Sequence, residues 1–220
     1  MKTDYLANLD GLIDECGSLH GHICPGQVLG VRMALLGCQL TGIRDPRGAE
    51  RKSLLVWVEI DRCVTDAISA VTGVRLGKRS LKFLDYGKVA ATFLNLPEGR
   101  AFRIVAKDES RELADALHPA NKDKKERQMS TYREADASLL FKVESVRPVL
   151  DDFEMPGRPR RRIICEMCGE GVNDGRDVSD ALNRRVCRSC AFGGYYQQIS
   201  HKGMGASDNQ STLPSFIKTF

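Results

Sequence analysis

The sequence predicts an α+β core, an antiparallel or mixed sheet packed with helices, followed by a small C-terminal four-cysteine finger. Three observations carry that expectation. Apolar residues recur at helical spacing near the N-terminus, short β-rich runs follow one another without strict strand–helix alternation, and two CxxC pairs lie close together near the C-terminus. At 220 residues the chain is long enough for one packed domain and a metal-stabilised appendage. The expected divisions are a core over residues 1–154, a basic Pro/Arg linker over 155–162, the finger over 163–200 and a polar tail over 201–220.

Leu6, Leu9, Leu12 and Ile13, spaced by three and four, predict an amphipathic helix from Tyr5 to Cys16. Pro25 opens a second helix whose Val28, Leu29, Val31, Leu35, Leu36 and Leu40 are apolar on all sides, so it is expected at the centre. Gly26, Gly30, Ala34 and Gly37 allow neighbours to approach it closely. Asp45–Gly48 reads as a loop, Leu54–Ile60 as a strand, and Val64–Val71 as a short helix stopped at Thr72-Gly73. The runs 81–86, 90–96 and 101–106, split by Gly87 and by Pro97-Glu98-Gly99, predict an antiparallel meander. Helices over Ser110–Leu117 and Asp123–Ala137 and a last strand over Leu140–Val146 complete the core, and Lys202–Ser215 reads as a mobile polar stretch.

Cys165-x-x-Cys168 and Cys187-x-x-Cys190, with eighteen residues between the pairs, have the spacing of a closed tetrahedral four-thiolate zinc site. Gly169, Gly171 and Gly175 supply the turn freedom of a metal knuckle. Two disulfides or a thioredoxin-like redox pair fit less well, because a redox CxxC comes as one pair in a βαβ setting. The expected zinc is structural.

Residues 1–154 carry 23 basic and 23 acidic side chains, so the net charge of +4 resides in the C-terminal part, much of it in Arg158-Pro159-Arg160-Arg161-Arg162. A run of this size without interleaved aromatics reads as a solvated linker and argues against nucleic acid as the main substrate. No apolar stretch is long enough for a membrane span and the N-terminus lacks a signal pattern, so a cytoplasmic protein is expected. Cysteines in metal spacing suit a reducing compartment.

The second cluster of chemical groups is His20-Gly21-His22-Ile23-Cys24-Pro25-Gly26. In an extended chain residues 20, 22 and 24 project to one side, and Pro25 places Cys24 at a helix N-terminus, where a thiolate is favoured. Cys63 sits between a strand and a helix, a common position for functional groups. Cys16 and Cys38 fall in apolar helical patterns and read as packing, and neither His118 nor His201 is given a role. No GxxxxGK[ST], GxGxxG or ferredoxin cysteine pattern is present, which argues against nucleotide hydrolysis and electron transfer.

At these residues the chain resembles the FmdE-like family, named for a component of formylmethanofuran dehydrogenase. The matching stretches are His20–Gly26 with Gly30, Cys63-Val64-Thr65-Asp66-Ala67-Ile68 leading to Thr72-Gly73, Leu76-Gly77-Lys78, and Asp85-Tyr86-Gly87-Lys88. Leu19, Val74 and Arg79-Ser80 depart from the family's usual residues, Val74 standing where many members have another cysteine. The resemblance implies an accessory protein of molybdenum or tungsten formylmethanofuran dehydrogenase, which reduces carbon dioxide onto methanofuran, with a treble-clef zinc finger after the core in some members. Expected partners are the subunits of that dehydrogenase and a second copy of the chain. On this reading His20, His22, Cys24 and Cys63 bind a second zinc or another transition metal in the core together with a small molecule, while Asp66, Asp85 and Lys88 assist by proton transfer or substrate orientation. Two other readings stand beside it: a non-catalytic module that docks a protein or nucleic acid through the finger and basic linker, and a thiol-redox protein using Cys24 and Cys63.

Overall fold

The structure is a computed structural model describing residues 5–197; the tail over 201–220, with His201 and Lys202–Ser215, lies outside them. The chain separates into two compact units, residues 1–159 and residues from Arg160 onward.

In the first unit, α1 (Leu9–His20) starts where the Asn8 side chain accepts from Gly11 N and stops at Gly21, whose φ of 92° is left-handed. It runs one turn beyond the expected end at Cys16. Pro25 at the first turn and Gly42 at the left-handed cap bound α2 (Pro25–Thr41). Two glycines explain how this central helix packs. A Cβ on Gly30 would stand 2.7 Å from Ala67 Cβ and from the Val64 carbonyl, and one on Gly37 would stand 2.4 Å from the Phe93 ring. Glycine therefore lets α2 lie directly on α3 (Cys63–Thr72) and on the sheet.

The sheet comprises β1 (Leu54–Val58), β2 (Leu81–Phe83), β3 (Ala90–Asn95), β4 (Arg100–Ala106) and β5 (Phe141–Ser145) in the order β2-β1-β3-β4-β5. Helices α4 (Glu109–Leu117), α5 (Lys124–Glu134) and α6 (Ala137–Leu140) occupy the connection from β4 to β5. Val56 pairs with Phe93, Phe93 with Phe102, and Ile104 with Val143, all antiparallel. The 81–86 run departs from the expected meander: its strand is three residues long and pairs parallel with β1, Val56 opposite Leu81. The reason is α3, which carries the chain back to the starting end of β1, so the next strand must run in the same direction.

Alternate β1 residues serve two cores. Leu54, Val56 and Val58 join Ile13, Val28, Val31, Met33, Ile68 and Phe93 beneath the helices, while Leu55 and Trp57 meet Leu94 and Ala101 on the other face. Each such buried side chain stabilises the fold by about 1.5–3 kcal/mol. Cys16 and Cys38 belong to the first core, and burial pushes their thiols up to about 11 and about 12. At the outer edge, β5 exposes Lys142 and Val143, with Lys142 Nζ 2.7 Å from Glu144.

The second unit holds two hairpins, β6 (Arg162–Ile164) with β7 (Gly171–Asn173) and β8 (Asp177–Ser179) with β9 (Arg185–Cys187), then α7 (Arg188–Phe192). Its apolar core is small, with Cys165 and Val186 as the buried hydrophobics among the described residues. The buried Asp177 carboxylate is paired with Arg161 and Arg185; burial pushes it up, but these partners outweigh that and hold it below the usual range. Arg160 N donates to Asp174 Oδ1 at 3.0 Å, and Asp174 N donates to the Arg161 carbonyl at 2.8 Å. The end of the basic run is thus built into the finger.

Candidate metal centres

In the finger each CxxC turn is closed by its own backbone. Gly169 N donates to Cys165 O at 2.9 Å, with Gly169 at a φ of 76°, and Cys187 accepts on its sulfur from Cys190 N at 3.4 Å. Cys187 N also donates to Cys165 Sγ at 3.2 Å, which ties the two turns together. All four sulfurs lie within 4.8 Å of one another, and Cys168 Sγ is 3.9 Å from Cys187 Sγ. That separation is far longer than a disulfide of about 2.05 Å and matches the edge, about 3.8 Å, of a tetrahedron with metal–sulfur bonds of about 2.3 Å.

The protons are distributed unevenly. Backbone N–H groups of Cys168 and Cys187 lower Cys165 to about 6, and the Ser189 hydroxyl with Cys190 N lowers Cys187. Cys190 is pushed up to about 12 by its hydrogen bond with Cys187 and by burial. Four thiolates this close repel one another, so a divalent cation is what allows all four to ionise. The cluster fits a metal ion.

In the core, three helix ends meet. His20 is the last residue of α1, Cys24 is the extended N-cap of α2, and Cys63 is the first residue of α3. Ligand atoms of His20, Cys24 and Cys63 lie within 4.8 Å of one another. Gly26 keeps this junction open: a Cβ there would stand 3.2 Å from Cys63 Cβ. His20 Nδ1 is 3.0 Å from Asp66 Oδ2, on the next exposed position of α3. His22 is exposed, its ring centroid 5.0 Å from that of His20, and it is not part of the three-residue cluster.

Cys63 does not behave as a helix N-terminus alone would dictate. Burial pushes its thiol up, and the hydrogen bond and proximity of Cys24 push it further. The Cys63 thiol is thus held toward its protonated form beside Cys24.

A cleft of about 580 Å³ is lined by Cys63 together with Pro25 and Gly26. Arg62, Lys88, Lys107, Arg111 and Lys124 line it against a single carboxylate, Asp108. Lys88 therefore faces the cleft, whereas Asp85 is exposed and lines neither the cleft nor the cluster. Two further residues, not expected from the sequence, brace this region. Gln27 is fully buried and donates to the Cys63 carbonyl at 3.2 Å, while its Oε1 has no hydrogen-bond partner. Buried Glu59 accepts from Arg103 at 2.7 and 2.8 Å, and its carbonyl accepts from Tyr86 N and Lys88 N. A glutamine on a helix apolar all round, and a glutamate closing an apolar strand, were the available signals.

An α+β core with a thiol–imidazole cluster where three helices meet, followed by a four-thiol finger, defines a protein class with two candidate metal centres. The family model described as FmdE, molybdenum formylmethanofuran dehydrogenase operon, matches residues 19–147, and the chain belongs to that family. The match includes His20, Cys24 and Cys63 and ends before the finger. A probable S-adenosyl-L-methionine-binding protein of Archaeoglobus fulgidus is 29% identical over 209 residues, 88% of this chain. The chain spans 56% of that relative's length. The crystal structure of a tungsten formylmethanofuran dehydrogenase FmdE-like protein from Syntrophus aciditrophicus matches with a TM-score of 0.58, covering 90% of this chain and 100% of that one at 19% identity. This is a likeness of fold. No helix among the described residues is long and apolar enough to cross a membrane.

Proposed function

We propose that the protein is an accessory metalloprotein of formylmethanofuran dehydrogenase, with a zinc ion held by His20, Cys24 and Cys63 beside a cleft for a small anion. Cys165, Cys168, Cys187 and Cys190 hold a second, structural zinc in a treble-clef-type finger. The observation that carries this reading is the meeting of one imidazole and two thiols from three separate helices within 4.8 Å. Soft thiolates with imidazole favour zinc over magnesium or calcium, and three protein ligands leave a fourth position open. An ion so held polarises a carbonyl or lowers the pKa of a bound water. Asp66, by engaging His20 Nδ1, leaves Nε2 as the nitrogen offered to the metal. Arg62 and Lys88 draw an anionic ligand toward the open side. The association with formylmethanofuran dehydrogenase rests on the family.

The thiol-redox reading, and the cofactor reading that the Archaeoglobus fulgidus relative suggests, are weaker on the same geometry. As the attacking thiol of a Cys24–Cys63 redox couple Cys63 is poorly suited, because burial and the neighbouring thiol push its pKa up. S-adenosylmethionine carries a sulfonium and an ammonium against one carboxylate, and its net positive charge is disfavoured in this cation-lined cleft.

Element analysis of the purified chain tests the proposal. About two zinc equivalents are expected in the wild type and about one in Cys24→Ser or Cys63→Ser. One equivalent in the wild type, with both core thiols reacting freely with a thiol reagent, refutes the core centre. Failure of a tagged chain to retain the components of formylmethanofuran dehydrogenase refutes the accessory role.

A further inference from the structure

The first unit has a second cleft, of about 710 Å³, at the opposite end of α3 from the core cluster. Cys63 begins that helix and Gly73, which lines the cleft, follows its last residue, so about 15 Å of helix separates the two places. None of the proposed metal ligands lines it.

Its lining has two chemical characters. Arg47, Arg51, Lys52, Arg75 and Lys78 are all cationic, and no carboxylate is among the lining residues. Arg47 has its charge met by Glu15, 2.8 Å away. Arg51, Lys52 and Lys78 have no ion-pair partner among the described residues. Arg75 donates to the Ser69 hydroxyl and to the Ser69 and Val74 carbonyls, which are neutral. Four uncompensated cations therefore converge on one concavity, an arrangement whose self-repulsion a bound anion relieves.

The rest of the lining is largely apolar, with Pro46, Leu54, Leu96, Met155 and Pro156 beside Gly73, Ser80 and Gly157. Met155 and Pro156 come from the segment after β5, where a turn at Asp152–Glu154 is capped by Asp151. Arg79 and Lys82, on either side of the start of β2, donate to the Phe153 and Glu154 carbonyls and hold that segment against the sheet edge. That part of the lining is thus fastened by named bonds. The volume lies in the range of small-molecule sites, about 300–1,000 Å³.

We infer that this cleft binds an organic phosphate of the nucleoside diphosphate class, with the phosphates at Arg51, Lys52, Arg75 and Lys78 and the nucleoside against Leu54, Leu96, Met155 and Pro156. Simple inorganic anions would leave the apolar lining uncovered, and a neutral nucleoside would leave the cations unmet. The site is separate from the core metal centre and does not depend on it.

Isothermal titration of the full zinc-loaded chain with ADP tests this, using adenosine and inorganic diphosphate as the two halves of the ligand. ADP is expected to bind one to one, each half at least about tenfold more weakly, and charge reversal in Lys52→Glu/Lys78→Glu to weaken ADP about a hundredfold. Both lysines are exposed, so the variant should keep the wild-type melting temperature and zinc content. Cys24→Ser should bind ADP as the wild type does, which separates failure here from failure of the core centre. The inference is overturned by absence of ADP binding, by diphosphate binding as tightly as ADP, by indifference to the charge reversal, or by loss of ADP binding in Cys24→Ser.

Discussion

Asp66 is exposed, yet its carboxylate fixes the one imidazole of the core cluster. Asp66→Asn should weaken metal binding at the core about 10–100-fold while the finger keeps its ion. Competition with a chromophoric chelator, read as one weakened site and one unchanged, checks this. Cys38 gives a different test. Its thiol titrates near 9 when unfolded and near 12 when folded, so above pH 9 the unfolded chain binds fewer protons and stability falls. The contribution is complete below pH 9 and is lost as pH rises toward 12, at up to about 1.4 kcal/mol per pH unit. Cys38→Ala should start less stable but show a shallower alkaline decline in urea midpoints. At this scale the sequence was partly legible. The four finger cysteines are local, two per turn, so spacing alone marks them. Placing His22 with His20 and Cys24 assumed an extended chain; α1 instead runs through His20 and Gly21 turns left-handed, which breaks the alternation and leaves His22 outside the cluster.

Elements carry the next level of constraint. The α2–α3 contact brings Cys24 near Cys63, and Gly30 is where backbone meets backbone. Gly30→Ala, with its Cβ against the Val64 carbonyl and Ala67, must push α3 away, and should destabilise the core by about 1–3 kcal/mol. Its zinc content should fall toward one equivalent, whereas a surface change such as Lys122→Ala should alter neither quantity. Helix periodicity revealed α1, α2 and α3 because each buries a stripe that repeats within its own sequence. Strand partners were harder to read: the 81–86 run is equally compatible with a hairpin neighbour and with a crossover, and only the placement of α3 decides that β2 lies parallel to β1. The cleft cations at Lys107, Arg111 and Lys124 were illegible for a related reason, since the β4–α4–α5 path that gathers them has no local signature.

Across the whole molecule, the two units rest on different sources of stability. The first has two apolar clusters against a five-stranded sheet, and the second has, among the described residues, four thiols and one other buried hydrophobic, Val186. Metal removal should therefore unfold the second unit and spare the first. Limited proteolysis after treatment with a strong chelator should cut within 160–197 while a fragment containing residues 9–146 persists; equal resistance with and without chelator would contradict a metal-dependent finger.

The free edge of the sheet bears on behaviour at high concentration. Among the described residues β5 is an edge strand paired with β4 alone, a surface on which a strand of another molecule could add itself beside exposed Val143, and Lys142 and Glu144 flank that valine with charge. An incoming strand would have to strip water from both, a cost that disfavours pairing at this edge. Lys142→Val would remove half of that protection without touching the core, so its unfolding midpoint should stay within about 0.5 kcal/mol of the wild type. Light scattering, however, should rise with concentration and time, as molecules that remain folded join edge to edge.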